Sequence, residues 1–251
     1  MAEIFFDIAY EFDKALVDNT IREIVDRRES AYICVADGVT LATSYESSEL
    51  KKVLAGARIT ICDSSWVPTY LKFLYGINRE TYTGSELFYN TIRCKKYKMM
   101  FLGSNKEILD ALRQSLSEID PNISDMKFVE LPFCKVENFN YPQIAEMIKQ
   151  ESPEIIWVSL GMPKQEFFMS RLRDHLNQGL QIGVGAAFKF YSGKNELKRA
   201  PLWMRKIRLE WLFRIFQEPQ KQIKRCLLIA KNMPPIIIKE YKIKTRKNGQ
   251  Q

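Results

Sequence analysis

The sequence predicts an α/β fold in which a mostly parallel sheet is flanked by helices and followed by a basic helical appendage. Short runs that are nearly all apolar recur along the first three quarters of the chain, as in strands buried on both faces of a parallel sheet. Amphipathic helical patterns separate these runs, and such alternation favours parallel strands joined by right-handed crossovers. After Gly193 the alternation stops and the chain becomes strongly basic.

Six apolar runs are the predicted strands of this Rossmann-like sheet. They cover residues 31–36, 57–62, 97–102, 126–131, 154–160 and 180–185. The clearest helical patterns between them lie at residues 47–56, 105–119 and 163–178. Ligands in such sheets bind where the carboxyl ends of strands lead into helices, so the loops after these strands are where a functional site is expected.

The C-terminal segment is predicted to consist of helices only. Residues 200–217 show an amphipathic pattern, and the Glu218-Pro219 pair should end that helix. A second helix is predicted over residues 220–231. The MPPIII segment at residues 233–238 should stop it, which leaves a mobile basic tail.

The net charge of the chain changes sign at the same place where the alternation of strands and helices stops. From Lys194 onwards there are 16 basic and 4 acidic residues, a net charge of +12, whereas the first part has 22 basic and 26 acidic residues, a net charge of −4. We therefore divide the chain into an α/β domain, residues 1–193, and an appendage, residues 194–251. Such a cationic segment suits nucleic acid, anionic lipid or a phosphorylated substrate, or else forms a solvated, solubilising face.

Composition excludes several classes of protein. With 46% hydrophobic and 27% charged residues, the 251-residue chain is globular rather than disordered. Five scattered cysteines and a single histidine, His175, argue against a zinc site and against a disulfide framework. The N-terminus does not look like a signal peptide and no run of about 18 apolar residues occurs, so we expect a location in the cytoplasm or at its membrane face.

Three loops after predicted strands could bind a phosphate through backbone N–H groups at a helix start. They contain Gly103 and Ser104, then Gly161, then Gly183 and Gly185, although each could equally be an ordinary glycine turn. No P-loop motif occurs, and the GVGAAF segment departs from a dinucleotide fingerprint at its last position. Because there is also no Asp-x-Asp pair for a bridging metal, a bound diphosphate would need backbone N–H groups and Lys or Arg side chains.

Two aspartates are candidate general bases because each directly follows a predicted strand. Asp37 and Asp63 therefore lie at strand carboxyl ends, where catalytic groups are expected in a parallel sheet. Either could instead cap a helix. Glu86 and Glu166 begin helical stretches, where an acidic side chain also suits the helix dipole.

The stretch from Glu154 to about Arg225 resembles the WecG/TagA/CpsF family of glycosyltransferases. The resemblance rests on VSLGMPKQEFF, on GVGAAF, and on RAPLW followed by LEWLFRIFQEP, in the order and at the spacing of the family. Over the first 150 residues it is diffuse. The matching residues are Gly161, Pro163, Lys164, Gln165, Glu166, Gly183, Val184, Gly185, Phe188, Arg199, Ala200, Pro201, Trp203, Glu210, Trp211, Arg214, Glu218 and Pro219.

Resemblance to this family of bacterial enzymes implies an inverting glycosyltransferase of cell-surface polysaccharide synthesis. The implied donor is a UDP-sugar, with N-acetylmannosamine or a related hexosamine as the sugar, and the implied acceptor is linked to undecaprenyl diphosphate. The resemblance implies no metal and no other cofactor. It also implies that the appendage covers the active site and rests on the anionic inner face of the bacterial cytoplasmic membrane. The sequence leaves open whether the chain forms a homo-oligomer or associates with other polysaccharide-synthesis enzymes.

The resemblance also suggests roles for individual residues. Asp63 matches the catalytic aspartate of the family and is the predicted general base, with Asp37, which stands where the family has asparagine, as the second candidate. Where the family has threonine, arginine and aspartate, this chain has Val35, Thr81 and Lys189. The predicted UDP-sugar contacts are Gly103, Ser104, Gly161, Lys164, Gln165, Glu166, Gly183, Gly185 and Lys189. The predicted contacts to the diphosphate and the lipid acceptor are Arg199, Arg214, Lys221, Lys224 and Arg225.

Two other classes of function fit parts of the sequence. A nucleic-acid-binding module would explain the basic appendage, but the segment has no recognisable reading motif and the acidic body would repel a long duplex. A degenerate family member that acts as a scaffold or partner subunit would explain the differences at Val35, Thr81 and Lys189. Binding of UDP separates the enzyme from both alternatives, and nucleic acid is not an expected partner.

Overall fold

The computed structural model describes residues 2–64, 66–194, 200–201, 203–204 and 209–248. Within these ranges the chain forms one eight-stranded sheet with helices on both faces. The strand order is β1-β2-β4-β3-β8-β7-β5-β6, and all neighbouring strands are parallel except β1 and β2, which confirms the predicted fold class. The strands are β1 (Glu3–Phe5), β2 (Ile8–Glu11), β3 (Ser30–Ala36), β4 (Ile59–Cys62), β5 (Met99–Gly103), β6 (Lys127–Val129), β7 (Ile155–Ser159) and β8 (Gly179–Gly183).

The six predicted strands correspond to β3–β8, whereas the β1–β2 hairpin at the sheet edge is an addition to them. Its strands are short and are joined by Phe6 and Asp7, whose φ angles of 55° and 64° lie in the left-handed region. Turns of this kind usually carry Asn-Gly, Asp-Gly or Gly-Gly, and the Phe-Asp pair here does not match this signal.

Several helices begin at a residue whose side chain accepts a hydrogen bond from the first turn. Asp13, Asp37, Ser47, Thr83 and Asn105 are N-caps of this kind, and they satisfy N–H groups that lack a partner within the helix. The helices are α1 (Lys14–Asp26), α2 (Gly38–Glu46), α3 (Ser48–Ala55), α4 (Val67–Tyr75), α5 (Gly84–Cys94), α6 (Lys106–Ser117), α7 (Tyr141–Glu151), α8 (Lys164–Arg173), α9 (Ala187–Tyr191), α10 (Glu210–Gln217) and α11 (Pro219–Asn248), with 3-10 turns at Pro121–Asp125 and Val136–Asn138.

The sheet separates two hydrophobic cores. One core lies under α2, α3, α4, α7, α8 and α11, and the other lies under α1, α5, α6 and α9. Side chains alternate between them along each inner strand: Ile156 and Val158 of β7 face the first core, and Trp157 faces the second. Burial on both faces explains why the inner strands read as continuous apolar runs.

The C-terminal segment forms the helices α10 and α11. α10 ends at Gln217 and α11 begins at Pro219, which confirms the predicted break between them. The helix predicted before this break is described only in part, because residues 202 and 205–208 lie outside the described ranges. The division of the chain after residue 193 stays a prediction, since residues 195–199 lie outside those ranges as well.

The prediction that the paired prolines stop the last helix and leave a mobile tail was wrong. Pro234 and Pro235 lie inside α11, which continues to Asn248. Each proline removes one helical hydrogen bond, but Met233 and Ile236 beside them are buried in the first core and stabilise the helix by packing. Among the described helices, α11 included, none combines the length and the apolar composition needed to cross a bilayer.

Candidate active site

The candidate site lies along the carboxyl edge of the sheet, where five strands end side by side. Parallel neighbours end at the same edge, so residues that are distant in sequence come together here. From β4 across β3, β8 and β7 to β5, the residues that end or follow these strands are Asp63, Asp37, Gly183, Ser159 and Gly103.

Asp37 connects the end of β3 to the C-terminal helix. Its Oδ1 caps α2 and accepts hydrogen bonds from the Thr40 backbone N at 2.8 Å and from Thr40 Oγ1 at 2.9 Å. Its Oδ2 accepts from Arg225 Nη2 of α11 at 2.9 Å, and both side chains of this ion pair are partly buried. Asp37 is therefore a helix cap and an anchor for the appendage at the same time.

Asp63 lies between the ends of β3 and β4 and the start of α5. Its backbone N–H donates to the Ala36 carbonyl at 3.0 Å, and its Oδ1 accepts from the backbone N of Gly84 at 3.3 Å. Gly84 packs on Val35, since a Cβ at position 84 would lie 3.0 Å from Val35 Cγ1. A helix N-terminus suits a negative charge, and the half-buried carboxylate lies at the edge where ligands bind.

Gln165, at the start of α8, holds the turn that follows β8. Its Oε1 accepts from the Gly185 backbone N at 3.1 Å, and its Nε2 donates to Glu166 Oε1 at 3.0 Å. A Cβ at position 183 would lie 3.0 Å from the same Nε2, so the amide fits because Gly183 has no side chain. Ser159 Oγ donates to the Gly185 carbonyl at 2.6 Å, and the turn is thus fixed from two sides.

Glu166 is fully buried, and its Oε2 has no hydrogen-bond partner within the described part of the chain. Burial, with a smaller contribution from the charge of Asp37, raises the pKa of Glu166 to about 7, although the hydrogen bond from Gln165 acts in the opposite direction. With no exposed surface, Glu166 acts on the site through Gln165.

The glycine turn after β5 is equally constrained. Gly103 has a φ of 105°, and a Cβ there would lie 2.5 Å from the Ser159 carbonyl oxygen, so only glycine fits. The backbone N–H of Ser104 donates to the same oxygen at 3.3 Å. The N–H groups of Ser104 and Gly185 are thus engaged inside the protein, and a phosphate would reach them only by exchanging these bonds. Gly161, by contrast, faces open space, with no described atom within 4 Å of a Cβ built on it.

Helices α10 and α11 cross this edge between α9 and α2. The Arg214 guanidinium lies 5.1 Å from the centre of the Phe190 ring in α9. Further along, Arg225 reaches Asp37, and Ile229 Cδ1 lies 3.4 Å from the position that a Cβ on Gly38 would occupy. The crossing brings two arginines of the appendage to the edge that holds both candidate aspartates.

Further positively charged side chains lie near Glu218, at the junction of α10 and α11. Its Oε1 lies 3.2 Å from Lys221 Nζ, and Lys189 of α9 acts on it electrostatically. Burial raises the pKa of Glu218, but Lys221, Gln222 and Lys189 outweigh burial and leave the pKa below its ordinary value. Lys189 and Lys221, both predicted from the sequence, therefore converge at this end of the edge.

Three other basic residues that the sequence predicts for the site are not shown among the cations at this edge. Lys164 Nζ lies over the rings of Phe139, at 5.0 Å, and Phe133, at 5.4 Å. Lys224 is exposed on the outer side of α11, and Arg199 lies outside the described residues. Nowhere in the described ranges do three or more His, Cys, Asp or Glu side chains form a group that could hold a metal ion.

The sequence analysis missed Ser159, which lies in the site, and Glu240, which lies outside the site and holds α11 against the sheet domain. Ser159 ends β7. The strand-end rule, by which residues at the carboxyl ends of parallel strands are candidates for a site, selects Asp37 and Asp63 and applies equally to Ser159. Glu240 is buried in α11 and accepts hydrogen bonds from the Phe6 backbone N at 2.9 Å and from Tyr75 Oη at 2.6 Å. No pattern indicates which acid of a basic helix will be buried.

Comparison with known proteins extends the resemblance to nearly the whole chain. The model of the glycosyl transferase WecG/TagA/CpsF family matches residues 7–249. An N-acetylglucosaminyldiphosphoundecaprenol N-acetyl-beta-D-mannosaminyltransferase of Bacillus subtilis (strain 168) is 25% identical over 238 residues, which cover 92% of this chain and 88% of the relative. The protein of the same name from Bacillus spizizenii is 24% identical over 232 residues, or 88% and 87% of the two chains.

A third relative of the same name, from Staphylococcus aureus (strain MW2), is 29% identical over 150 residues, which cover 60% of this chain and 56% of the relative. The family match includes both candidate aspartates, the turns after β5 and β8, and the helices that cross the carboxyl edge. The chain therefore belongs to the WecG/TagA/CpsF family of glycosyltransferases.

Proposed function

We propose that this chain transfers N-acetylmannosamine, or a related hexosamine, from a UDP-sugar to an acceptor linked to undecaprenyl diphosphate, for bacterial cell-surface polysaccharide. The names of the relatives supply the sugar and the acceptor. The observation that carries the proposal for this chain is the convergence of Asp63 with Arg225 of the C-terminal helix at one sheet edge. Family membership favours this activity over a nucleic-acid-binding module.

Asp63 is the general base in the proposed reaction. It takes the proton from the acceptor hydroxyl while that oxygen bonds to the anomeric carbon of the donor. The bond between this carbon and the UDP oxygen breaks at the same time, so the anomeric configuration inverts. Asp37 is the less favoured base, because its two oxygens are engaged with Thr40 and Arg225.

The departing UDP gains negative charge, and the appendage supplies the positive charge that stabilises it. Arg214, Lys221 and Arg225 lie on helices that cross the catalytic edge, and Lys189 adds a fourth cation at the α10–α11 junction. Cations held in place before the reaction stabilise a developing anion without further reorganisation. A bridging metal ion is not part of the proposal.

The acceptor requires that the enzyme work at a lipid surface. We place the protein at the inner face of the cytoplasmic membrane, with the outer side of α11 towards the lipid. Exposed lysines on that side, such as Lys224 and Lys242, would each contribute about 1 kcal/mol of attraction to anionic lipid. Amphipathic helices of this kind lie in the plane of the interface.

The direct test of the mechanism is Asp63→Asn, with turnover of UDP-N-acetylmannosamine measured on a lipid-linked N-acetylglucosamine acceptor. Removing a general base should lower kcat by about 10² to 10⁴. Asp174→Asn, a change at the exposed end of α8, is the matched control and should keep full activity. Equal kcat values for Asp63→Asn and the wild type, with both proteins folded, would remove Asp63 from this role.

A further inference from the structure

Helix α4 of the sheet domain exposes aromatic side chains on a flank beside its core face. Val67, Leu71 and Leu74 are buried in the first core. Phe73 is 84% exposed and Trp66, directly before the helix, is 44% exposed. Two large aromatic groups exposed on the same side of a helix mark a candidate contact surface for a partner or a membrane.

Helix α11 lies beside α4 and exposes an apolar stripe of its own. Tyr75 Oη donates to Glu240 Oε1 at 2.6 Å, and Lys244 bonds to the Leu74 carbonyl, so one flank of α11 contacts α4. The other flank contacts α2 through Asn232, whose Nδ2 lies 3.0 Å from Glu46 Oε1. The exposed apolar residues, which recur at helical spacing between these flanks, are Ile223, Leu227, Ile238 and Tyr241.

The charge around this surface indicates its partner. Exposed Lys224 and Lys242 border the stripe on α11, and exposed Lys72 adjoins Phe73 on α4. The only acidic residue of α11, Glu240, is buried. A second copy of the chain would bring like charges together, whereas an apolar surface bordered by lysines complements an anionic bilayer.

We propose that α4 and α11 form one lipid-binding surface, in which Trp66 and Phe73 of the sheet domain enter the headgroup region beside the appendage. The inference rests on the proposed function and adds a second membrane contact to it. Trp66 is three residues from Asp63, so a bilayer that receives Trp66 also lies close to the proposed base. There the base could meet an acceptor whose diphosphate lies at headgroup level.

Phe73→Ser tests the inference, because a side chain with so much exposed surface adds little to folding. Binding is measured by co-sedimentation with vesicles of equal parts phosphatidylglycerol and phosphatidylcholine. Loss of an inserted phenyl group should lower the partition coefficient by about tenfold. Phe133→Ser is the matched control, since Phe133 is fully exposed between β6 and α7 at the other end of the sheet.

Two outcomes would overturn the proposal: an equal loss with Phe133→Ser, or unchanged vesicle binding by Phe73→Ser, which would point to contact between copies of the chain if size-exclusion chromatography showed a changed oligomeric state. Turnover on vesicle-borne and water-soluble acceptors separates this proposal from the proposed function. We expect Phe73→Ser to lower the ratio of the two rates. If the wild type used neither acceptor, the proposed function would fail, while the vesicle result would still decide the surface.

Discussion

At the scale of single residues, the candidate site depends on side chains that are held by several partners. Gln165 uses both ends of its amide, one towards Gly185 and one towards Glu166. Gly183 leaves the space that this amide needs. The sequence places these residues near the site through the strand-end rule, but their mutual contacts depend on how α8 packs against β8.

Glu166 should make the stability of the protein depend on pH. Its pKa is raised from 4.5 to about 7 by burial, so the folded state binds a proton that the unfolded state has released at intermediate pH. The wild type should therefore lose up to roughly 3 kcal/mol of unfolding free energy, relative to Glu166→Gln, as the pH rises from about 4 to 8. Urea unfolding of both proteins across this range measures the difference.

Glu146→Gln, at an exposed position on α7, is the control and should run parallel to the wild type. If the unfolding free energies of Glu166→Gln and the wild type changed with pH in the same way, protonation of the buried carboxyl group would not be coupled to folding.

At the scale of elements, sequence reasoning succeeds for the inner strands and fails at the sheet edge and in the last helix. The inner strands are buried on both faces, so their apolar runs identify them. The hairpin turn at Phe6 and Asp7 lacks the usual residue pair, such as Asn-Gly or Asp-Gly. Helix α11 passes through Pro234 because packing outweighs the loss of hydrogen bonds. Both failures are cases in which tertiary contacts override a local preference.

The docking of α11 over the site should depend on the ion pair between Asp37 and Arg225. Asp37→Asn keeps a helix cap but removes the charge. Because this pair is more buried than surface ion pairs, a double-mutant cycle with Arg225→Gln should give a coupling free energy of about 1 kcal/mol in urea unfolding. The same cycle on the exposed pair of Lys106 and Asp110 should give about 0.3 kcal/mol. A coupling at Asp37 no larger than this control would argue against an anchoring role.

At the scale of the whole molecule, the acidic body and the basic appendage meet at the carboxyl edge of the sheet. Asp37 and Arg225 are 188 residues apart, and no local pattern pairs them. The sequence does predict both halves of the site, since strand ends select Asp37 and Asp63 and the charge count locates the cationic segment. Which cations face the edge, and which point outward as Lys224 does, depends on how α11 packs.

Calorimetric titration of the full chain with UDP, without added metal ions, tests the central claim most directly. We expect saturable binding at one site, weakened at least tenfold by Arg225→Gln because a charge-assisted contact is lost, and retained by Asp63→Asn. At 100 times its Kd, UDP should also add about 2.7 kcal/mol to the free energy of unfolding. A wild-type protein that is folded yet takes up no UDP would contradict the assignment of this sheet edge as a nucleotide-sugar site.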